Sequence, residues 1–445
     1  YYFYQIFKSL GGEKLECTAA DAFLRYINIY GYASFKNKGG EDIKIQIKSI
    51  WEELELLQEK EAINLKLDPE EERKKTFFEK LFADNPEYIK VAFIHDKTPA
   101  ESGWTYGHEL GRLHVEKVFG NRIHTTAYEH AVNAPEEVIE HAIREGNKII
   151  FTTSPKLLNA SLSIAVKYPD VMILNCSLNK PHRYIRTYYA RMYEAKFIIG
   201  AIAGTLAENG KIGYLCDYPI YGQIAGINAF ALGVQMVNPR AKIYLEWSCL
   251  DGVHEALCRL VEQDISLISS QDLSKNSDNE KKPFGLFRFD KNNLVNLAMP
   301  IWHWGIYYEK LIHSILNRTM QLQYESSNKA LNYYWGMSAG VIELIYSKNL
   351  PNGVRKLAQL LESTISSGIY NPFCGPLKNQ SGEYIDMEGK GLPLESVITM
   401  DWLLENIVGT IPEYELLSRD GKATVESAGA PAIHGGITNE NSGNC

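Results

Sequence analysis

Val91-Ala-Phe-Ile-His-Asp96, followed by Glu101-Ser-Gly-Trp-Thr-Tyr-Gly-His-Glu-Leu-Gly-Arg112, is the stretch on which the fold turns. The first part, VAFIHD, is apolar along nearly its whole length, as a strand covered on both faces must be. The second, ESGWTYGHELGR, opens a helix at Ser102 or Gly103 and places Trp104 in its first turn. A strand that runs directly into a helix is the repeating unit of a parallel sheet. Gly107 and Gly111, four residues apart, are expected to let this helix pack closely on that sheet.

The unit recurs. KIIFTTS (148–154) precedes LLNASLSIAVKYP, and VMILNCS (171–177) follows. A long helical stretch, YARMYEAKFIIGAIAGTLAENG, then leads to a second series: KIGYLCD, YGQIAGINAFALGVQMV, KIYLEWS, GVHEALCRLVEQ, ISLISS and FGLFRF. Two such series predict two parallel α/β lobes with a ligand cleft between them, at the carboxyl ends of the strands. Residues 1–88 differ. TAADAFLRYINIYGY, IKSIWEELELLQ and EEERKKTFFEKLF carry apolar residues at spacings of three and four without strands between them, which predicts a small helical module ending near Pro86.

Composition narrows the function classes. With 445 residues the chain is long enough for two or three units, and 45% apolar and 22% charged residues belong to a globular protein. A net charge of −8 without a Lys/Arg-rich run argues against direct nucleic-acid binding. The longest apolar run, Phe197 to Ala207, is too short to span a bilayer, so no transmembrane segment is expected. Seven scattered cysteines lack any CxxC or metal-ligand spacing and read as reduced thiols, which favours a reducing compartment. Neither a phosphate loop nor an HExxH is present, and no metal or cofactor is expected.

The strand ends supply the candidate site. Ser102, Gly103 and Trp104 offer backbone donors and a flat aromatic face. Ser154 follows the strand KIIFTT, Trp247 and Asp251 flank the end of KIYLEWS, Asp272 follows ISLISSQ, Asp290 ends FGLFRF, and Trp302 closes NLAMPIW. Aromatic faces with a few carboxylates and hydroxyls suit a planar heterocycle, through stacking and edge hydrogen bonds. A competing pattern is Gly336-Met-Ser-Ala-Gly340, which fits the GxSxG turn of serine hydrolases, with Asp401 and His434 following in that fold's chain order. A serine hydrolase built on Ser338 is the lesser reading, because the strand leading in is amphipathic and His434 lies in a terminal stretch of low-complexity character.

GWTYGHELGR, RYIRTYYARMYEAKFIIGAIAG, KIGYLCDYPI, GINAFALGVQMVNP, IWHWGIYY, NPFCGPLKNQSGE and TMDWLLENIVG, in this order between about Lys90 and Gly409, resemble blocks of the basic membrane protein family. These are purine-nucleoside-binding lipoproteins that serve as substrate-binding components of ABC transporters. The resemblance implies a type I periplasmic-binding-protein fold, two Rossmann-like lobes closing on a purine base or nucleoside, with no enzymatic activity. It implies that Trp104 stacks on the base, with further contacts from Ser154, Asp251 and Asp290. Where nucleoside binders of the family place a lysine near the sugar, this chain has Trp302, which favours a bare base. A second family aromatic before Asp251 is replaced by Cys249, with Trp247 two residues earlier.

The expected organisation is a helical module at 1–88, a first lobe at 89–205 with a return segment at about 297–330, a second lobe at 206–296 with about 331–410, and a tail at 411–445. Family members sit at the outer face of the cytoplasmic membrane and partner ABC transporter membrane subunits. No signal peptide is visible at YYFYQIF, so the alternative is a cytoplasmic ligand-sensing regulator with the same lobes, the sequence beginning inside a longer chain.

Overall fold

The computed structural model describes residues 88–178, 185–270, 284–290, 293–316, 333–386 and 389–428. The helical module expected at 1–88 lies outside them but for Tyr88, as do Asp272 and His434.

The first sheet is parallel throughout. Its strands are β1 (Ile89–Ile94), β2 (Ile123–Tyr128), β3 (Ile149–Thr152), β4 (Met172–Cys176), β5 (Arg186–Ala190) and β11 (Tyr333–Trp335), in the order β11-β5-β4-β3-β1-β2. Side chains alternate between its two faces. Val91, Phe93, Phe151 and Leu174 pack with helix α1 (Gly103–Phe119) and helix α7 (Trp304–Leu316). Ala92, Ile94, Ile150 and Ile173 pack with α2 (Pro135–Arg144) and α3 (Leu158–Lys167). Both faces are covered, which is why β1, β3 and β4 are apolar without alternation.

The second sheet has the order β12-β10-β9-β8-β6-β7-β13. Its parallel part is β6 (Lys211–Cys216), β7 (Lys242–Trp247), β8 (Leu267–Ser269) and β13 (Ile407–Val408). The rest departs from the parallel expectation: β9 (Leu286–Asp290), β10 (Asn293–Trp302) and β12 (Ile342–Tyr346) add antiparallel pairs. Asp290 pairs directly with Asn293, a connection too short for the crossover that a parallel neighbour requires.

The chain crosses between the sheets at residues 190–192, 302–304 and 335–342. Helix α4 (Met192–Leu206) packs on α5 (Gln223–Val237) and so belongs to the second lobe rather than to the first, where residues up to 205 were expected. The return to the first lobe is made by α7 and β11, while β10 stays in the second sheet. The tail expected at 411–445 contains helix α10 (Arg419–Ala428), which lies against the turn Pro155–Leu157 of the first lobe. Gly111 faces a helix, not the sheet: a Cβ there would lie 2.9 Å from the Trp304 Cβ and 3.0 Å from the Tyr308 ring.

Two of the crossings are tied by one buried carboxylate. Glu194, 6% exposed, accepts the Met337 N–H at 2.7 Å and pairs with Arg191 at 3.3 Å. Burial pushes its carboxyl above the usual range, and Arg191 and the Met337 N–H draw it back. Gly336 leaves room for that carboxylate, since a Cβ would sit 2.2 Å from Glu194 Oε2. The GxSxG match is thus a hinge crossing. Exposed Ser338 sits on the one-turn helix Met337–Ala339, which leads into strand β12 and not into the long helix of a hydrolase elbow.

Candidate functional site: an interlobe cleft

In the first sheet the order β2-β1-β3-β4-β5 reverses direction between β1 and β3, and in the second β7-β6-β8 reverses between β6 and β8. Loops that leave adjacent strands in opposite directions open a crevice at such points. A cavity of about 580 Å³ lies there, lined by Asp96, Ser102, Gly103 and Trp104 after β1, Ser154 after β3, Asp217, Tyr218 and Tyr221 after β6, and Ser270 after β8. That volume is in the range of small-molecule sites. Tyr189, Tyr193 and Lys196 from the first crossing, Trp302 from the second and Tyr334 from the third complete the wall.

Local chemistry positions these groups. Ser102 caps α1, its Oγ accepting from the Thr105 N–H at 3.3 Å, so Trp104 stands in the first turn at the cleft. The Trp104 indole N–H donates to the Thr153 carbonyl at 2.7 Å and fixes the ring. Its ring meets Tyr189 nearly parallel, at 6.1 Å and 26°, and Trp302 edge-on, at 5.4 Å and 82°. Asp96 accepts from Ser154 Oγ at 3.4 Å, and Asp217 from Ser248 Oγ at 2.8 Å. Asp420 of α10 accepts from the Tyr218 hydroxyl at 2.6 Å, and burial together with that carboxylate pushes the Tyr218 phenol well up.

Behind Trp104 lies a second layer. His108 is fully buried, stacks on Trp304 at 4.2 Å and shares a 2.6 Å hydrogen bond with the Tyr308 hydroxyl. Burial, aided by His95, holds it well below the ordinary histidine range, so it is neutral at pH 7. Glu109 lies 3.6 Å from His95 Nε2 and takes two N–H groups of Arg112 at 2.9 and 2.6 Å. Burial opposes its ionisation, yet these partners bring its carboxyl down from 4.5 to about 2. A depressed carboxyl contributes stability that is fully present above pH 4.5 and lost as the pH falls toward 2. Glu109→Gln is therefore expected to flatten the acid limb of the unfolding free energy between those values, by about 1–2 kcal/mol given the group's partial exposure. Urea titrations at stepped pH check it; an unchanged acid limb would count against the pairing.

Of the residues expected at the site, Ser102, Gly103, Trp104, Ser154 and Trp302 line the cavity. Trp247 and Asp251 do not. Trp247 is 3% exposed, with its indole N–H on the Thr410 carbonyl at 2.8 Å, and belongs to the core of the second lobe. Asp251 pairs with Arg259, the Nη2–Oδ1 distance being 3.1 Å, and that guanidinium keeps its carboxyl low. Asp290 ends β9, which the sheet order sets beside β8 and β10. Sequence reasoning missed Asp96, Tyr189, Lys196, Asp217, Tyr218 and Asp420. A signal existed for Asp96 and Asp217, which end their strands as Ser154 does, and for Lys196, the one basic residue in the otherwise apolar run from Ala195 to Ala203.

Two α/β lobes joined by three crossings, with a cleft at both switch points, define a bilobal solute-binding protein. Comparison with known proteins sharpens this. Residues 88–249 match the family model described as ABC transporter substrate-binding protein PnrA-like. A purine-binding protein of Brucella abortus is 30% identical over 342 residues, which cover 74% of this chain and 95% of that relative. A putative ABC transporter glucose-binding protein of Haloferax volcanii is 24% identical over 342 residues, 73% of this chain and 82% of the relative. Among solved structures, a transcriptional activator of the comK gene from Bacillus halodurans aligns with a TM-score of 0.49 at 15% identity, covering 64% of this chain and 99% of its own. An ABC transporter solute-binding protein from Conexibacter woesei gives 0.48 at 14%, covering 64% and 98%. The chain belongs to the PnrA-like family of ABC transporter substrate-binding proteins, whose members bind solutes rather than convert them. No helix of the described residues is long and apolar enough to cross a membrane.

Proposed function

We propose that the cleft binds a purine, as a free base before a nucleoside, and presents it to the membrane subunits of an ABC transporter. The observation that carries this reading is the meeting of three aromatic rings, Trp104, Tyr189 and Trp302, at the switch point of the first sheet. A flat heterocycle can lie on one ring and touch the edge of another, while Asp96, Ser154 and Asp217 offer hydrogen bonds to its edge. The likeness to a purine-binding relative along nearly its whole length supports the same class. Trp302 in place of a lysine near a sugar supports the base, and Gly103 at the start of α1 brings its backbone N–H to the same wall.

Closure of the lobes is favoured only as far as the ligand touches both. Here the first lobe supplies Trp104 and Ser154, the second Asp217 and Tyr218. Stacking with two or three edge hydrogen bonds corresponds to a dissociation constant in the micromolar range or tighter, about −8 kcal/mol. Calorimetric titration with adenine, guanine, hypoxanthine, adenosine and inosine, with glucose as the contrasting solute, tests the reading. Heat and thermal stabilisation with a purine and none with glucose are expected; silence with every purine would overturn it.

A further inference from the structure

We propose that helix α10 straps the two lobes together across the cleft, fixed to the second and resting on the first, so that they open widely only when it lifts. This goes beyond the purine reading and does not depend on it. The three crossings join the lobes covalently and can bend. Helix α10 is a fourth link, made by packing. Its chain leaves the second sheet at β13, and Leu417 just before it is buried. The Ser418 N–H donates to the Cys249 carbonyl at 2.9 Å, and the Tyr218 hydroxyl to Asp420 at 2.6 Å. Cys249 follows β7 and Tyr218 follows β6, so both ties are to the second lobe.

On the first lobe the helix packs against the turn Pro155–Leu157 and against α3. Its residues divide by face: Gly421, Thr424, Val425 and Ala428, at spacings of three and four, are buried, while Arg419, Asp420, Ala423 and Glu426 are exposed. A helix of 10 residues is marginal in water by itself, so its order comes from the surfaces it touches. Asp420, Thr424 and Ala428, about one turn apart, line the cavity. The turn on which α10 rests belongs to the cavity too. Ser154 caps it, taking the Lys156 N–H at 3.3 Å, and Ser154, Pro155 and Lys156 all line the cleft. Solute and strap therefore meet on one turn.

Spreading the lobes must draw that turn away from α10 or break α10 from its anchor. The anchor holds through two hydrogen bonds and the covalent chain from β13, so the contact with the turn is the one that yields. A strap of this kind keeps the unliganded lobes close. The binding-competent form is then well populated before the solute arrives, which raises the apparent affinity.

Val425→Asp tests the proposal in the full chain. Val425 is 4% exposed and lies off the cavity wall, so a carboxylate there is costly to bury and reaches the solute only through the strap. Dyes on azido-bearing residues at exposed positions 137 of α2 and 262 of the helix Val253–Glu262 report the lobe spacing. Lost hydrogen-exchange protection over residues 419–428 shows that the helix has lifted. Unliganded Val425→Asp is expected to shift to a longer spacing than the parent. Its calorimetric affinity for hypoxanthine should fall about tenfold or more, equivalent to about 1.4 kcal/mol. Val425→Ala should show smaller shifts in the same direction, which keeps the test sharp if Val425→Asp does not fold. Ala423→Arg, on the exposed face, should change neither reading. A lifted helix with the parent's lobe spacing, or with undiminished affinity, would overturn the strap. A parent chain that takes up no hypoxanthine would tell against the purine reading and leave the strap to be decided by the spacing.

Discussion

Gly233→Ala is expected to unfold the second lobe under conditions where the parent chain is folded. Helices α4 and α5 are apolar on all sides and cross with their backbones in contact, Gly200 and Gly204 on one and Gly233 on the other. A Cβ on Gly233 would stand 1.9 Å from the Phe197 carbonyl oxygen and 2.8 Å from the Ala201 nitrogen. A Cβ on Gly200 would stand 2.0 Å from the Phe230 carbonyl oxygen. These neighbours are backbone atoms, and no rotamer change can move them. The helices must separate, and the fully buried Phe197, Ile198, Phe230 and Val234 lose their packing. Overpacking a core side chain costs about 1–3 kcal/mol, and a clash with fixed backbone belongs at or above the upper end. Gly353→Ala is the control: it lies in helix α8 (Asn352–Ser366), nothing stands within 4 Å of its Cβ position, and helix propensity favours alanine. Thermal melts of both variants decide the matter. Equal midpoints for Gly233→Ala and the parent would show that the crossing is looser than its backbone distances require.

The same crossing shows what could be read from the residues. A stretch such as FIIGAIAG, apolar on every side with glycines four apart, has to be buried against another helix, and it is. Assigning it to the second lobe needed the partner, because periodicity says that a face is buried and not what covers it. The first sheet was legible because its strands are hidden on both sides. The antiparallel half of the second sheet was not, since FGLFRF is as apolar as a parallel strand and only the closeness of Asp290 to Asn293 sets its direction.

The site divides along similar lines. Trp104, Ser154 and Trp302 could be picked out because they leave strands at the crevice. Trp247 also leaves a strand, but β7 lies outside the switch point between β6 and β8, and its ring turns into the core. Strand order, not strand end alone, separates the two cases. Asp251 looked like a ligand contact and serves Arg259 eight residues on. Asp420 could not have been found from its surroundings in sequence, because its place depends on α10 returning to the Pro155–Leu157 turn of the first lobe.

Trp104→Ala is expected to weaken purine binding by about a hundredfold or more while the chain stays folded. The ring forms the wall of the cleft that a base can lie on, and it is held in place from three directions: the Thr153 carbonyl on its nitrogen, His108 and Trp304 against it at 4.8 and 5.5 Å, and Trp302 at 5.4 Å. A wall fixed in the free protein spends little binding energy on ordering itself, so most of the stacking contact appears as affinity. Aromatic contact of this kind contributes about 1–3 kcal/mol by truncation, and loosening Trp302 and His108 around the vacated space adds to the loss. Trp104→Phe separates the two contributions. It keeps a stacking face but lacks the N–H, so its ring is less firmly aimed, and a loss of several-fold is expected rather than a hundredfold. The measurement is calorimetric affinity for the tightest purine, with circular dichroism and melting temperature as evidence of folding. If the folded alanine variant binds within threefold of the parent, the base does not lie on Trp104, and the stacking surface must be sought on Tyr189 or on the tyrosines after β6.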